Sequence, residues 1–264
     1  MSKNARGVNL LLDIHCHILY GVDDGAENEA ASLEMAREAV CEGITKIIAT
    51  PHHKNGRYHN PKEDILLKVK KLNDLLQQEE VPLTILPGQE TRIYGEILED
   101  IEKDEILPLN EGKYLFIELP SSHVPRYTEK LLFDIHVKGF TPIIVHPERN
   151  SEIIENPNLL HNLVKKGTLT QVTAGSITGH FGKKIQKFSK SLIEANLTHF
   201  IASDAHNTTT RSFRLQESLH VIEREFSHDL LYFFRENTEL LLDGKTIYGE
   251  EPREVKRKRF LGIF

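Results

Sequence analysis

Histidine and acidic residues recur at the ends of short apolar runs, and these residue types in such places can hold divalent cations. Six segments carry them: Asp13-Ile14-His15-Cys16-His17 with Asp23-Asp24-Gly25, then Pro51-His52-His53, Gly88-Gln89-Glu90, Ile117-Glu118-Leu119-Pro120, His146-Pro147-Glu148-Arg149 and Ser203-Asp204-Ala205-His206. In His15-x-His17 the strand period of two turns both imidazoles to one side and Cys16 to the other, and Asp204-x-His206 repeats the spacing. The candidate ligands are five imidazoles (His15, His17, His52, His146, His206) and four carboxylates (Asp24, Glu90, Glu118, Asp204). Zinc usually takes about four ligands and octahedral metals about six, so this set points to two or three ions sharing carboxylates. A single His-x-His also occurs as an ordinary hydrogen-bonded pair, and Glu90 or Glu118 alone could be a salt-bridge partner. Recurrence at separate strand ends carries the inference. His136, His161, His220 and His228 fall in helical segments and are expected in ordinary surface or core roles, whereas His53 and His59 stay open.

Two arginines stand beside these segments, Arg149 three residues after His146 and Arg211 five after His206. A planar guanidinium grips phosphate through paired hydrogen bonds, against the simpler alternative of a surface ion pair. A cysteine nucleophile in a C-x5-R phosphate loop is excluded, because Cys16 is followed at that distance by Val22 and Cys41 by Ile47. Arg92, Tyr94, Arg126 and Tyr127, just beyond ligand strands, could line the entrance for an aromatic phosphate.

The elements that must position these groups are legible as apolar runs at Leu10–Ile14, Ile44–Ala49, Leu83–Leu86, Tyr114–Leu119, Pro142–Val145, Leu169–Thr173 and His199–Ala202. They read as buried parallel strands separated by helices. After the last, Leu215, Leu219, Ile222 and Phe226 line one helix face. Gly43, Gly139 and Gly167 sit where helices should end in a left-handed cap. The pattern is seven βα units without a linker, hence one domain over residues 1–250 followed by a tail, 251–264. An open sheet would not gather the polar ends of so many strands about one point, whereas a barrel opens all of them on one face. The expected fold is α/β, a TIM-like barrel.

Composition agrees with a soluble globular chain: of 264 residues, 39% are hydrophobic and 27% charged. The net charge of −6 repels nucleic acid, and no apolar stretch or leader of the secretory kind is seen, so a cytoplasmic location is expected. The two cysteines form no disulfide framework. The tail Lys256-Arg257-Lys258-Arg259-Phe260-Leu261-Gly262-Ile263-Phe264 joins a cationic run to an apolar tip, as a solvated end or as a contact to anionic lipid or a membrane-associated partner.

The order DIHCHI, DDGA, TPHH, GQE, FIELP, HPER and SDAH resembles the polymerase-and-histidinol-phosphatase (PHP) family of metal-dependent phosphoesterases, within it the bacterial protein-tyrosine phosphatases of capsule and exopolysaccharide operons, of the CpsB and YwqE type. The resemblance runs from Leu12 to Leu242. It implies a distorted (β/α)7 barrel and a trinuclear site, often with manganese, iron or zinc being alternatives. It further implies one metal on His15, His17, Glu90 and Asp204, a second on Glu90, Glu118 and His146, and a third on Asp24, His52 and His206. Arg149 and Arg211 would bind the substrate phosphate. Hydroxide shared by the two ions that meet at Glu90 is the expected nucleophile. The implied substrate is phosphotyrosine on a bacterial tyrosine autokinase; histidinol phosphate or another small phosphomonoester is the alternative. An amidohydrolase also begins with His-x-His on a barrel strand, but it commonly needs a modified lysine after the fourth strand, where Glu118 stands, and a histidine after the sixth, where Thr173-Ala174-Gly175 stands.

Overall fold

The computed structural model describes residues 11–256. Its strands are β1 (Leu11–Cys16), β2 (Ile44–Ala49), β3 (His52–His53), β4 (Thr84–Pro87), β5 (Glu90–Arg92), β6 (Tyr114–Glu118), β7 (Thr141–Val145), β8 (Leu169–Thr173) and β9 (Phe200–Ala202). The helices are α1 (Glu29–Cys41), α2 (Lys62–Gln78), α3 (Ile97–Glu102), α4 (Thr128–Val137), α5 (Ser151–Glu155), α6 (Asn158–Lys165), α7 (Ala174–Thr178), α8 (Lys183–Glu194), α9 (Leu215–Glu225) and α10 (His228–Leu242). The strand pairs in both sheets are parallel: β1-β2-β4 form one sheet and β3-β5-β6-β7-β8-β9 the other.

The second and third expected runs form β2 and β4, and each is followed, after a short break, by a further short strand, β3 and β5. Both breaks occur at one level: Ala49 pairs Pro87, the ladder lapses, and His52 then pairs Glu90. Prolines 51 and 87 offer no N–H to a ladder. At Gly88 a Cβ would stand 2.6 Å from Ile48 Cγ2 and 2.9 Å from Leu109 Cδ2, so only glycine permits this close passage. The chains stay side by side, since Glu90 N–H donates to Pro51 O at 3.0 Å. At the opposite edge, Cys16 and Ala205 form a parallel bridge. Asp204 N–H donates to His15 O and His17 N–H to Ala205 O, both at 2.8 Å. Buried Asp13 also accepts from the Ser203 N–H at 3.0 Å and from the Ser203 hydroxyl.

Alternation along the strands separates two cores. On β6, Tyr114 and Phe116 join an inner cluster with Ile14, Ile48, Ile143, Val145 and Phe200, whereas Leu115 and Ile117 pack toward the helices. The period of two then turns Glu118 to the inner side, at the strand end. The inner cluster floors the polar site: the His15 ring centroid lies 5.0 Å from that of Phe116. Gly43, Gly139 and Gly167 take φ of 84°, 90° and 95°, the expected left-handed caps.

Among the described residues no helix is long and apolar enough to cross a membrane. Past residue 250, Arg253 N–H donates to Ala195 O at 2.8 Å and its guanidinium to Glu194 O at 3.1 Å. Residues 1–10 and the tail beyond Lys256, with its expected lipid or partner contact, lie outside the described residues.

Candidate metal centre

All nine expected ligands meet at the C-terminal ends of the strands. His15 Nε2 lies 3.4 Å from His17 Nε2, 3.6 Å from Glu90 Oε2 and 3.5 Å from Asp204 Oδ1. His17 Nε2 lies 3.3 Å from Glu90 Oε2 and 3.4 Å from Asp204 Oδ1. Glu90 is fully buried; its Oε1 stands 2.7 Å from His146 Nε2, and its Oε2 2.7 Å from His52 Nδ1. The far nitrogen of His52 faces Asp24 Oδ1 at 3.4 Å, which His206 Nε2 approaches to 3.5 Å. Ligand atoms converge in four overlapping groups: His15, His17 and Asp204; His15, Glu90 and His146; His52, Glu90 and Glu118; and His17, Asp24, His52 and His206. His146 and Glu118 fall in different groups, joined through Glu90.

The imidazoles are set to accept a cation. His15 Nδ1 donates to Gln171 Oε1 at 2.9 Å, His17 Nδ1 to Asp23 Oδ2 at 2.6 Å, and His206 Nδ1 to Asp204 O at 2.9 Å. Each bond places one ring proton outward and aims Nε2 inward, the arrangement of metal-ligating histidine. Buried His206 Nε2 and Glu118 Oε2 have no hydrogen-bond partner, while buried His52 Nδ1 and Glu90 Oε2 meet as an ion pair at 2.7 Å. Leaving one such atom unsatisfied costs about 1–3 kcal/mol. Two lone-pair atoms orphaned beside a buried imidazole–carboxylate pair fit divalent cations. His146 and Asp204 also take left-handed backbones, φ 36° and 54°, a local strain of about 1–3 kcal/mol each that the surrounding structure must hold.

Charge follows from these contacts. Burial disfavours ionised Glu90, yet His52, His15 and His146 hold its carboxyl well below the ordinary range. Burial likewise opposes ionised Asp204, and Arg149 with His15 outweighs it. Burial pulls His146 and His206 down to about 4, with Arg149 and His17 adding to the effect. Burial also disfavours a charged His52, but Glu90 and Asp24 raise it to about 10. Glu118 is pushed up to about 7 by burial and by the Glu90 charge. Burial also opposes a charged His17, but Asp23, Asp204 and Glu90 hold it well above the ordinary range, so at neutral pH without metal His17 and His52 carry protons and Glu118 is partly protonated. Cations must displace these protons, so binding should release more than one proton per protein. Affinity should fall as pH falls, by about tenfold per unit for each proton released. Calorimetry in buffers of different ionisation enthalpy would measure this; metal binding without proton release would contradict it.

Arg149 Nη2 lies 2.6 Å from Asp204 Oδ2, its guanidinium over the Phe181 ring at 5.6 Å. Arg211 lies 3.4 Å from both Asp24 Oδ2 and Asp204 Oδ2. Both line an open cleft with His52, Glu118 and His146. Of the expected entrance residues, Arg92 also lines this cleft and pairs with Glu118 at 3.1 Å. Tyr94 instead donates its hydroxyl to Asp100 at 2.6 Å, Tyr127 is exposed with its hydroxyl 3.5 Å from Ile93 O, and Arg126 is exposed. His136, His161, His220 and His228 all lie on helices. His53 is buried against the His59 ring, with centroids 4.9 Å apart.

Sequence reasoning missed the supporting partners Asp23, Gln171, Asp13 and Asn207. The last accepts from Arg211 N–H at 3.0 Å and closes the turn that presents that arginine. A signal existed for Asp23, in the doubled acid before Gly25. Gly25 itself supports the site: a Cβ there would stand 2.0 Å from His17 O and 2.5 Å from His17 Cβ. Gly25→Ala must move the main chain that carries His17. It should lower kcat by about a hundredfold, the cost of displacing a reacting group by about an ångström. Steady-state kinetics with a melting curve would check this; wild-type activity would contradict it.

Converging imidazoles and carboxylates over an apolar floor, with arginines on the cleft wall, form a candidate metal centre of the kind hydrolases use, at the strand ends of a parallel α/β fold. The family model described as "Capsular polysaccharide synthesis, CpsB/CapC" matches residues 11–243, and the chain belongs to that family. It is 53% identical over 254 residues to the tyrosine-protein phosphatase YwqE of Bacillus subtilis (strain 168), covering 96% of this chain and 100% of the relative. It is 29% identical to the tyrosine-protein phosphatase CpsB of Streptococcus pneumoniae over 221 residues, 82% of this chain and 91% of the relative. A crystal structure from work on YwqE and CpsB, described as metal-dependent tyrosine phosphatases, matches with TM-score 0.92 at 54% identity, covering 94% of this chain and 100% of that one. An organophosphorus hydrolase from Deinococcus radiodurans, at 12% identity and TM-score 0.54 over 88% of this chain and 91% of that one, shares the fold alone.

Proposed function

We propose that this chain is a metal-dependent protein-tyrosine phosphatase that hydrolyses phosphotyrosine on a bacterial tyrosine kinase, in the regulation of capsule or exopolysaccharide synthesis. The observation that carries the reading is the convergence of five imidazoles and four carboxylates beside a cleft walled by Arg149 and Arg211. Likeness to YwqE along 96% of the chain supports the substrate class. The site would hold three divalent ions, manganese first among the candidates. His15, His17, Glu90 and Asp204 would hold one, Glu90, Glu118 and His146 a second, and Asp24, His52 and His206 a third. Bound there, divalent ions supply Lewis acidity and a nucleophile from water at neutral pH. The two sheets, joined through the Cys16–Ala205 bridge, are read as one distorted (β/α)7 barrel. The cell compartment consistent with this substrate is the cytoplasm.

The chain's own groups account for the remaining requirements. A phosphomonoester dianion repels an incoming oxygen nucleophile; Arg149 and Arg211 on the cleft wall grip its oxygens and offset that charge. Asp204 anchors both guanidiniums, so the arginines and the ligand set share one reference point. Water oxygen bonds to phosphorus as the phosphorus–phenolic oxygen bond breaks. The departing phenolate has a pKa near about 10, so its need for a strong proton donor is modest. Phosphate release from a phosphotyrosine peptide, a phosphoserine peptide and histidinol phosphate, with manganese and after chelation, tests the proposal. Manganese-dependent turnover of phosphotyrosine is expected; selective turnover of histidinol phosphate would replace the proposal with the small-molecule alternative.

A further inference from the structure

Arg92 belongs neither to the candidate ligands nor to the arginines assigned to phosphate, yet it stands in the same cleft. It ends β5, and its register partner on the neighbouring parallel strand β6 is Glu118. Its Nη2 lies 3.1 Å from Glu118 Oε1, while Nη1 donates to Leu119 O at 3.1 Å. One rigid fork thus clasps the side chain of a candidate ligand and the main chain of the residue after it. Nε is buried without a partner, so these two contacts set the angle of the group.

The consequence falls on the other oxygen of Glu118. Oε2 is buried, has no hydrogen-bond partner and stands 3.7 Å from His52 Nδ1, in the group that also contains Glu90. Two carboxylates in one group repel each other, and an untethered Glu118 would swing toward the open cleft. Arg149 and Arg211 reach Asp204 and Asp24 instead, so Arg92 is the cleft arginine that engages Glu118.

We propose that Arg92 is a positioning residue: by holding Glu118 Oε1 it presents Oε2, beside Glu90, to a divalent cation. The inference deepens the metallophosphatase reading and rests on it for the identity of the reaction, though not for metal binding. Outer partners that orient a metal ligand typically change affinity by about 10–100-fold when removed. Lysine cannot reproduce a planar fork with two acceptors, so it should restore only part of the effect.

The test is manganese titration of the full chain, stripped and reloaded, followed by calorimetry and by the electron paramagnetic resonance of free manganese. Arg92→Met keeps the apolar stem and should weaken one manganese by about tenfold or more. The kcat on p-nitrophenyl phosphate should fall while KM moves less than about twofold at saturating manganese, and Arg92→Lys should lie between. Wild-type manganese affinity with a raised KM would overturn the proposal and make Arg92 a phosphate-binding group. If circular dichroism shows Arg92→Met unfolded, Arg92→Lys decides: weakened affinity supports the proposal and unchanged affinity overturns it. A wild-type chain that binds manganese but hydrolyses no phosphate ester would sink the phosphatase reading alone, and the metal titrations would still decide the role of Arg92.

Discussion

Glu90→Gln is expected to lower kcat at least about a thousandfold and to cost the protein bound metal. The carboxylate is fully buried and touches four imidazoles: His15 at 3.6 Å, His17 at 3.3 Å, and His52 and His146 at 2.7 Å each. It is also the residue that two of the proposed ions share. Glutamine preserves shape and one acceptor but removes the charge that makes sharing favourable. Lewis-acid stabilisation is worth several kcal/mol, and each 1.36 kcal/mol is a factor of ten, so losing about 4 kcal/mol gives the thousandfold figure. Kinetics paired with elemental analysis would check both parts. A loss smaller than about tenfold with full metal content would remove Glu90 from the centre.

Arg149→Ala should lower kcat/KM for an aryl phosphate by about 100–1,000-fold with metal content unchanged, the usual cost of removing one preorganised electrostatic contact. Its guanidinium is held on one side by Asp204 at 2.6 Å and covered on the other by the Phe181 ring, so it is in place before substrate arrives. Arg211 makes longer contacts, 3.4 Å to each carboxylate, and should cost less when removed. Arg149→Lys should recover only part of the activity, because an ammonium cannot match two phosphate oxygens at once. The contradictory outcome is an Arg149→Ala enzyme that loses metal while its KM stays at the wild-type value. In that case the residue serves Asp204 rather than the phosphate.

The convergence of the candidate ligands was legible because it is largely a strand-end property: apolar runs mark the strands, and polar residues past them reach the shared face. His15-x-His17 and Asp204-x-His206 needed nothing more than the period of two. The supporting partners were not legible, since they depend on which strands become neighbours. Gln171 holds His15 across 156 residues of sequence, and Ser203 reaches Asp13 across 190. Asp23 and Asp24 are adjacent and chemically alike, yet one holds the outer nitrogen of His17 and the other faces His52 and His206. Sequence alone does not divide such a pair. The matched breaks between β2 and β3 and between β4 and β5 were also hidden: Pro51 and Pro87 are local signals, but that the two breaks fall at one level depends on these strands becoming neighbours, with Gly88 against Ile48. Tyr94 was expected at the entrance from its place after β5, but Asp100, buried six residues later, captures its hydroxyl.

The most direct measurement is anomalous X-ray diffraction from crystals of the manganese-loaded protein, collected on both sides of the metal absorption edge. Separate peaks are expected within the ring of His15, His17, Asp24, His52, Glu90, Glu118, His146, Asp204 and His206, one of them between Glu90 and the His15–His17 pair. A fully loaded crystal with no peak inside that ring, or with its manganese elsewhere on the surface, would contradict this placement.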